Sequence, residues 1–81
     1  EVQLFPNPAS TEANVSFYLE ADEKIAVTLM ELNGKIMSRQ SIAASEGFNI
    51  HNIDISMLPK GVYMVQLTGN ANTVTKRMAV Q

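Results

Sequence analysis

The lone histidine of this 81-residue chain, His51, stands beside Asn49, Asn52 and Asp54, a local gathering of side chains able to do acid–base or metal chemistry. In extended backbone alternate residues point to opposite faces, so His51 shares a face with Asn49 and Ile53 while Asn52 and Asp54 share the other. His51 and Asp54 do not converge. With no cysteine and no second histidine, zinc would have to be held mostly by carboxylates, and a surface or hydrogen-bonded strand histidine is the stronger reading. The serines and threonines form no nucleophile-elbow pattern, so no Ser–His–Asp set can be assembled. Asp22-Glu23 lies in a turn with Lys24 and lacks the oxygen ligands at alternate positions that a calcium loop needs. Asn33-Gly34 and Pro59-Lys60-Gly61 precede no helix, so their task is to turn the chain rather than to cradle phosphate. Asn14-Val15-Ser16 has glycosylation spacing, which has meaning only in a host that glycosylates this way. The chain is expected to be no enzyme and to hold no metal or cofactor.

Composition narrows the class further. Eighty-one residues, 46% hydrophobic and 17% charged, suit one globular domain with one modest core. The net charge of −2 comes from six basic and eight acidic side chains scattered along the chain, with Lys76-Arg77 the longest same-sign cationic run. A nucleic-acid surface needs several cations converging on one face, so nucleic acid is a poor expectation. Apolar runs are only a few residues long, which leaves no membrane-spanning segment, and Glu1 opens no cationic, apolar signal peptide. The abrupt start suggests a domain excised from something longer.

The elements that would position these side chains read as strands. Val2 to Phe5 is a short extended piece stopped by Pro6-Asn7-Pro8, because proline fixes φ and donates no hydrogen bond. Ala9 to Asn14 reads as a loop with at most a helical turn over Ser10 to Ala13, and Val15 to Glu20 then alternates with Val15, Phe17 and Leu19 inward and Ser16, Tyr18 and Glu20 outward. Ala21 to Lys24 is a turn. Ile25 to Leu32 and Lys35 to Ser41 should pair antiparallel across Asn33-Gly34, since both turn residues accept positive φ, with the weaker return strand at an edge. Ala43 to Gly47 reads as a turn. In Phe48 to Ile55 the apolar positions shift from even to odd numbers, which predicts a bulge or a change of sheet. Ser56 to Gly61 is a crossing segment with Leu58 dipping into the core, and Gly61 takes a backbone conformation that other residues avoid. Val62 to Leu67 is then a central strand paired with Thr73 to Val80 across a polar turn.

Six or seven short strands at this spacing predict an all-β sandwich, and the helical rival over Ile25 to Met37 is broken by Asn33-Gly34. Phe5, Phe17, Phe48 and Tyr63 are expected to serve the core, with the Tyr63 hydroxyl reaching a partner at the rim. Lys76 shares a face with Val74 and Met78 and must lie near an edge or extend its amine outward. The last strand, with Lys76, Arg77, Val80 and Gln81, is the candidate recognition surface, on the expectation that Ala79 to Gln81 is exposed.

Four pieces in this order carry a family resemblance: Leu4-Phe5-Pro6-Asn7-Pro8-Ala9, Val27 to Gly34, Ile53 to Tyr63, and Lys76 to Gln81. The chain resembles the type A C-terminal sorting domain of the type IX (Por) secretion system of Bacteroidetes over essentially its whole length. The motif residues carried here are Pro6, Asn7, Pro8, Gly34, Asp54, Leu58, Gly61, Tyr63 and Lys76, with Arg77 fitting a position often basic in the family. Glu31 and Asn33 are mild departures. The resemblance implies an immunoglobulin-like β-sandwich of about seven antiparallel strands at the end of a larger secreted cargo. It further implies recognition by the outer-membrane type IX translocon and, in many members, removal during attachment of the cargo to anionic lipopolysaccharide by sortase-like machinery. Partners are then the translocon, that attachment machinery and the N-terminal cargo domains, and the destination is the cell surface or the medium. A dimer formed by edge pairing or strand exchange near Pro6 or Lys35 to Ser41 stays open. The alternative function is an accessory carbohydrate-binding or adhesive sandwich, which would need a groove of exposed aromatics.

Overall fold

A computed structural model describes residues 1–81 and contains seven strands: β1 (Gln3–Phe5), β2 (Glu12–Leu19), β3 (Glu23–Glu31), β4 (Ile36–Ala44), β5 (Gly47–Asp54), β6 (Gly61–Thr68) and β7 (Thr73–Val80). They form a three-stranded sheet in the order β1-β2-β5 and a four-stranded sheet in the order β4-β3-β6-β7, and every neighbouring pair is antiparallel. The two sheets pack as an immunoglobulin-like sandwich in which the fourth strand joins the larger sheet.

Period-two alternation explains which side chains meet between the sheets. Ala13, Val15 and Phe17 from β2 and Ile53 from β5 join Ile25, Val27 and Leu29 from β3 and Tyr63, Val65 and Leu67 from β6 in one buried cluster. Ile55 and Met78 have no exposed surface, and Val15 and Val65 retain 1%. Leu58 packs against this cluster but remains partly exposed.

The β3–β4 turn follows from its residues. Gly34 takes φ 90°, a conformation that costs side-chain-bearing residues. Its N–H donates to the Glu31 carbonyl at 2.9 Å, and the Lys35 N–H donates to Asn33 Oδ1 at 3.0 Å. A register shift between Leu29 and Met30 brings Ile36 opposite Met30. β4 is an edge strand, as its sparse apolar residues predict, and it runs on through Ala43 and Ala44, which the sequence suggests as a turn.

Four local expectations change. No helical turn forms over Ser10 to Ala13, because Glu12 already pairs with Asp54 as the first rung of β2–β5. Ser16 lies on the outward face as expected but is only 5% exposed, because it sits on the central strand of its sheet between Gln3 and Ile50. The apolar phase change over Phe48 to Ile55 produces neither bulge nor sheet change: β2 and β5 pair without a break from Glu12↔Asp54 to Leu19↔Gly47. Alternation instead continues, with Ile53 and Ile55 inward and Phe48 and Ile50 left on the solvent side. Phe48 is 66% exposed and Phe5 41%, so of the four aromatics assigned to the core only Phe17 and Tyr63 are in it.

Candidate recognition surface

The residues that could do chemistry are used as braces. Asp22 Oδ1 accepts the Glu46 N–H at 2.8 Å, whereas the neighbouring Glu23 Oε1 accepts the Asn70 N–H at 2.6 Å, so the two carboxylates tie down different loops. Gly69 leaves the room that the Glu23 carboxylate occupies beside the β6–β7 turn. His51 is half-buried on β5, and its Nε2 lies 3.2 Å from Gln40 Oε1 on β4, bridging the edges of the two sheets. Asp54 is exposed on the other side of β5; its Oδ1 accepts both the Ser56 N–H at 3.0 Å and the Ser56 hydroxyl at 2.7 Å. Those two bonds hold the Asp54 carboxyl below its ordinary range, outweighing a small opposing effect of burial. No three His, Asp or Glu side chains gather closely enough to hold a metal ion. One shallow pocket of about 140 Å³ opens between the sheets, and its walls are chiefly apolar, including Phe17, Leu19, Ile25 and Leu67.

The crossing segment before β6 is anchored by Tyr63. Its ring is buried and its hydroxyl donates to the Pro59 carbonyl at 2.5 Å, closing the Pro59-Lys60-Gly61 bend onto the strand it feeds. Gly61 has φ 158°, and the position a Cβ would take there lies 3.8 Å from the Tyr63 ring.

The opening Pro6-Asn7-Pro8-Ala9 segment and the last strand form one unit. Both Phe5-Pro6 and Asn7-Pro8 peptides are cis. The Ala9 N–H donates to the Ala79 carbonyl at 2.8 Å and the Gln81 N–H donates to the Ala9 carbonyl at 2.8 Å, making a parallel rung opposite Val80. Two residues earlier, Asn7 Nδ2 donates to the Arg77 carbonyl at 3.3 Å and Asn7 Oδ1 accepts the Ala79 N–H at 3.0 Å. The Asn7 carboxamide thus supplies the next rung, where neither flanking proline has an N–H to give. In the sequence Pro6-Asn7-Pro8 reads as a strand stop and as part of the family motif, with no sign of a partner strand. Its contact with β7 joins segments 70 positions apart, which no local pattern reveals.

Within β7, Arg77 is exposed and Lys76 half-buried, and Gln81 beyond it is exposed. Val80 is 4% exposed, correcting the expectation of a free C-terminal end, because its side chain turns into the core and its backbone lies against Ala9. The signal available in the sequence was parity: Val80 shares the inward phase of Met78.

A second surface was missed. On the outward side of the three-stranded sheet Tyr18 stands opposite Phe48 and Ser16 opposite Ile50, with Tyr18 64% and Ile50 56% exposed. Phe5, opposite Asn14, extends the same face onto β1.

A family model described as a secretion system C-terminal sorting domain matches residues 3–81. No curated protein matches the chain.

Proposed function

Since this chain belongs to the family of secretion system C-terminal sorting domains, here of the type IX (Por) system, we propose that it directs an attached cargo through the outer-membrane translocon, with removal of the domain confined to the case in which that cargo is fixed at the cell surface rather than released. A sorting signal of this family acts by being recognised, and Asp22, Glu23 and His51 serve here to brace loops and sheet edges. The observation that best supports the reading is the mutual locking of the first motif and the last strand, through Asn7 and Ala9 against Arg77 to Gln81. An address made of both ends of the domain is legible only when the domain is complete and folded, which suits a label checked before export.

In this reading Lys76, Arg77 and Gln81 are the side chains offered to the translocon, with Arg77 and Gln81 the most accessible. Val80 contributes by holding the strand rather than by contact. Pro6, Asn7, Pro8, Gly34, Asp54, Leu58, Gly61 and Tyr63 act by shaping turns and edges that keep that strand in place. The cargo domains lie N-terminal to the sorting domain, and export delivers them to the surface or the medium. The open edge of β4 is the place where two copies would pair by backbone hydrogen bonds, because no strand covers it. Light scattering of the isolated chain at high micromolar concentration tests that pairing, and a mass of one chain ends it.

The test of the main reading fuses residues 1–81 to a passenger protein in a cell with the type IX system. Passenger in the medium or on the surface is expected with the intact domain, and passenger retained inside is expected without it. Equal export of both fusions overturns the reading. Lys76→Ala/Arg77→Ala, with the fold checked by thermal melting, then separates recognition by β7 from loss of structure.

A further inference from the structure

The outward face of the β1-β2-β5 sheet carries more exposed apolar surface than folding explains. Tyr18 and Phe48 face each other across β2 and β5, each about two-thirds exposed, with Ile50 and Phe5 beside them. Aromatic side chains of this size cover about 150–250 Å² when fully buried. Four apolar side chains on one face therefore approach the few hundred Å² above which contiguous apolar surface on a monomer marks a binding site.

The charges around this strip have one sign. At one end Glu12 stands opposite Asp54, and Asn52 Nδ2 donates to Glu12 Oε1 at 2.7 Å. At the other end, one step past the strand ends, Glu20 follows Leu19 and Glu46 precedes Gly47. No lysine or arginine lies in β1, β2 or β5. The outward face of the other sheet has the opposite character: Lys24, Arg39 and Arg77 lie in the phase of Thr28 and Gln66, and none of its outward strand positions is acidic.

Resting on the sorting-signal reading, we propose that the Tyr18–Phe48 face is a docking surface for a protein component of the secretion machinery that is apolar at its centre and cationic at its rim. Charge complementarity selects this occupant. Anionic lipid and nucleic acid are repelled by a rim of carboxylates. A second copy meeting the same face sets carboxylates against carboxylates at both ends, and stacking on the basic face of another copy leaves an unpaired face at each end of an open chain. Rigid aromatic anchors inside a polar rim are the usual anatomy of an interface whose central residues dominate affinity. Arginines on the partner would gain twice, from the carboxylates and from the aromatic faces.

The experiment compares export of the passenger fusion carrying the wild-type domain, no domain, Tyr18→Ser/Phe48→Ser, and Glu12→Lys/Glu46→Lys. Both double variants alter exposed residues, and thermal melting of each purified 81-residue chain establishes that it folds. Export is expected to fall roughly tenfold or more in each folded double variant, the loss produced by removing central anchors of an interface. Wild-type export from folded double variants, while the domain-less fusion stays inside, overturns the docking face alone. Equal export with and without the domain overturns the sorting-signal reading beneath it. Self-association of the wild-type chain in light scattering that either double variant abolishes would reassign the face to a second copy. Binding of a neutral oligosaccharide that Tyr18→Ser/Phe48→Ser abolishes, with export intact, would reassign it to sugar.

Discussion

The Asn7 carboxamide accepts the Ala79 N–H at 3.0 Å across 72 positions of sequence and donates back to the Arg77 carbonyl two residues earlier. A side chain thereby does the work of a peptide group on the outer edge of the final strand. With the Ala9 rung beside it, this covers the end of the β7 edge where an incoming strand could otherwise add.

Asn7→Ala removes both bonds and leaves the Ala79 N–H and Arg77 carbonyl to water. At about 0.5–1.5 kcal/mol for each bond, the loss is about 1–2 kcal/mol at this exposed position. That lowers the melting temperature by about 4–8 °C per kcal/mol in a domain of this size. Asn7→Asp should fare no better, because its carboxylate still accepts from Ala79 but repels the Arg77 carbonyl. Thermal unfolding, with amide exchange at Ala79 as the local reporter, checks both.

Met78→Ala tests the packing between sheets. Met78 has no exposed surface and sits opposite Tyr63, so truncation should cost about 2–5 kcal/mol. The total available to a chain of this length is only about 4–12 kcal/mol. Met57→Ala, at a side chain 91% exposed, should change stability by less than about 0.5 kcal/mol. Denaturant titration of the two variants distinguishes them.

Gly34→Ala probes the turn instead. Nothing lies within 4 Å of the position a Cβ would take, so crowding is absent and the positive φ of 90° alone is penalised. The expected loss is about 1–2 kcal/mol, and Gly34→Asn should lose less because asparagine tolerates this region. Chemical denaturation of both variants measures the difference.

Asp54 gives the fold an acid-sensitive turn. Its folded pKa is lowered by the bonds from Ser56, so its stabilisation is complete above the unfolded value. That stabilisation fades as pH falls from about 3.8 through the lower folded value. Asp54→Asn keeps an oxygen acceptor but cannot titrate, and its melting temperature should change less over that range. Melting curves of the two chains between pH 2 and 6 decide it, and parallel pH profiles would sink the assignment.

Much of the strand pattern was legible because the forces that set it are local. Alternating apolar residues at Val15 to Leu19 and Tyr63 to Leu67, and Asn33-Gly34 between two such runs, specify strands and a turn through contacts only a few residues apart. The separation of His51 from Asp54 followed from the same alternation, as did the inward phase of Tyr63. The family resemblance likewise rested on residue order alone, and the match over residues 3–81 agrees with it.

What tertiary structure alone decided is where each edge and face ends up. The order β4-β3-β6-β7 puts β7 at an edge, and only the folded chain returns Asn7 and Ala9 to cover part of it and bury Val80. Phe48 is an expected core residue, and the apolar phase from Phe48 and Ile50 to Ile53 reads as a bulge or a change of sheet, yet unbroken pairing with β2 fixes their phase by Ile53 and leaves Phe48 and Ile50 outside. A residue's hydrophobicity states a preference, whereas hydrogen-bond register in a sheet fixes the direction of every second side chain at once. Where the two disagree, on the Tyr18–Phe48 face, the cost of exposure is borne by a few side chains while the ladder of backbone bonds stays whole.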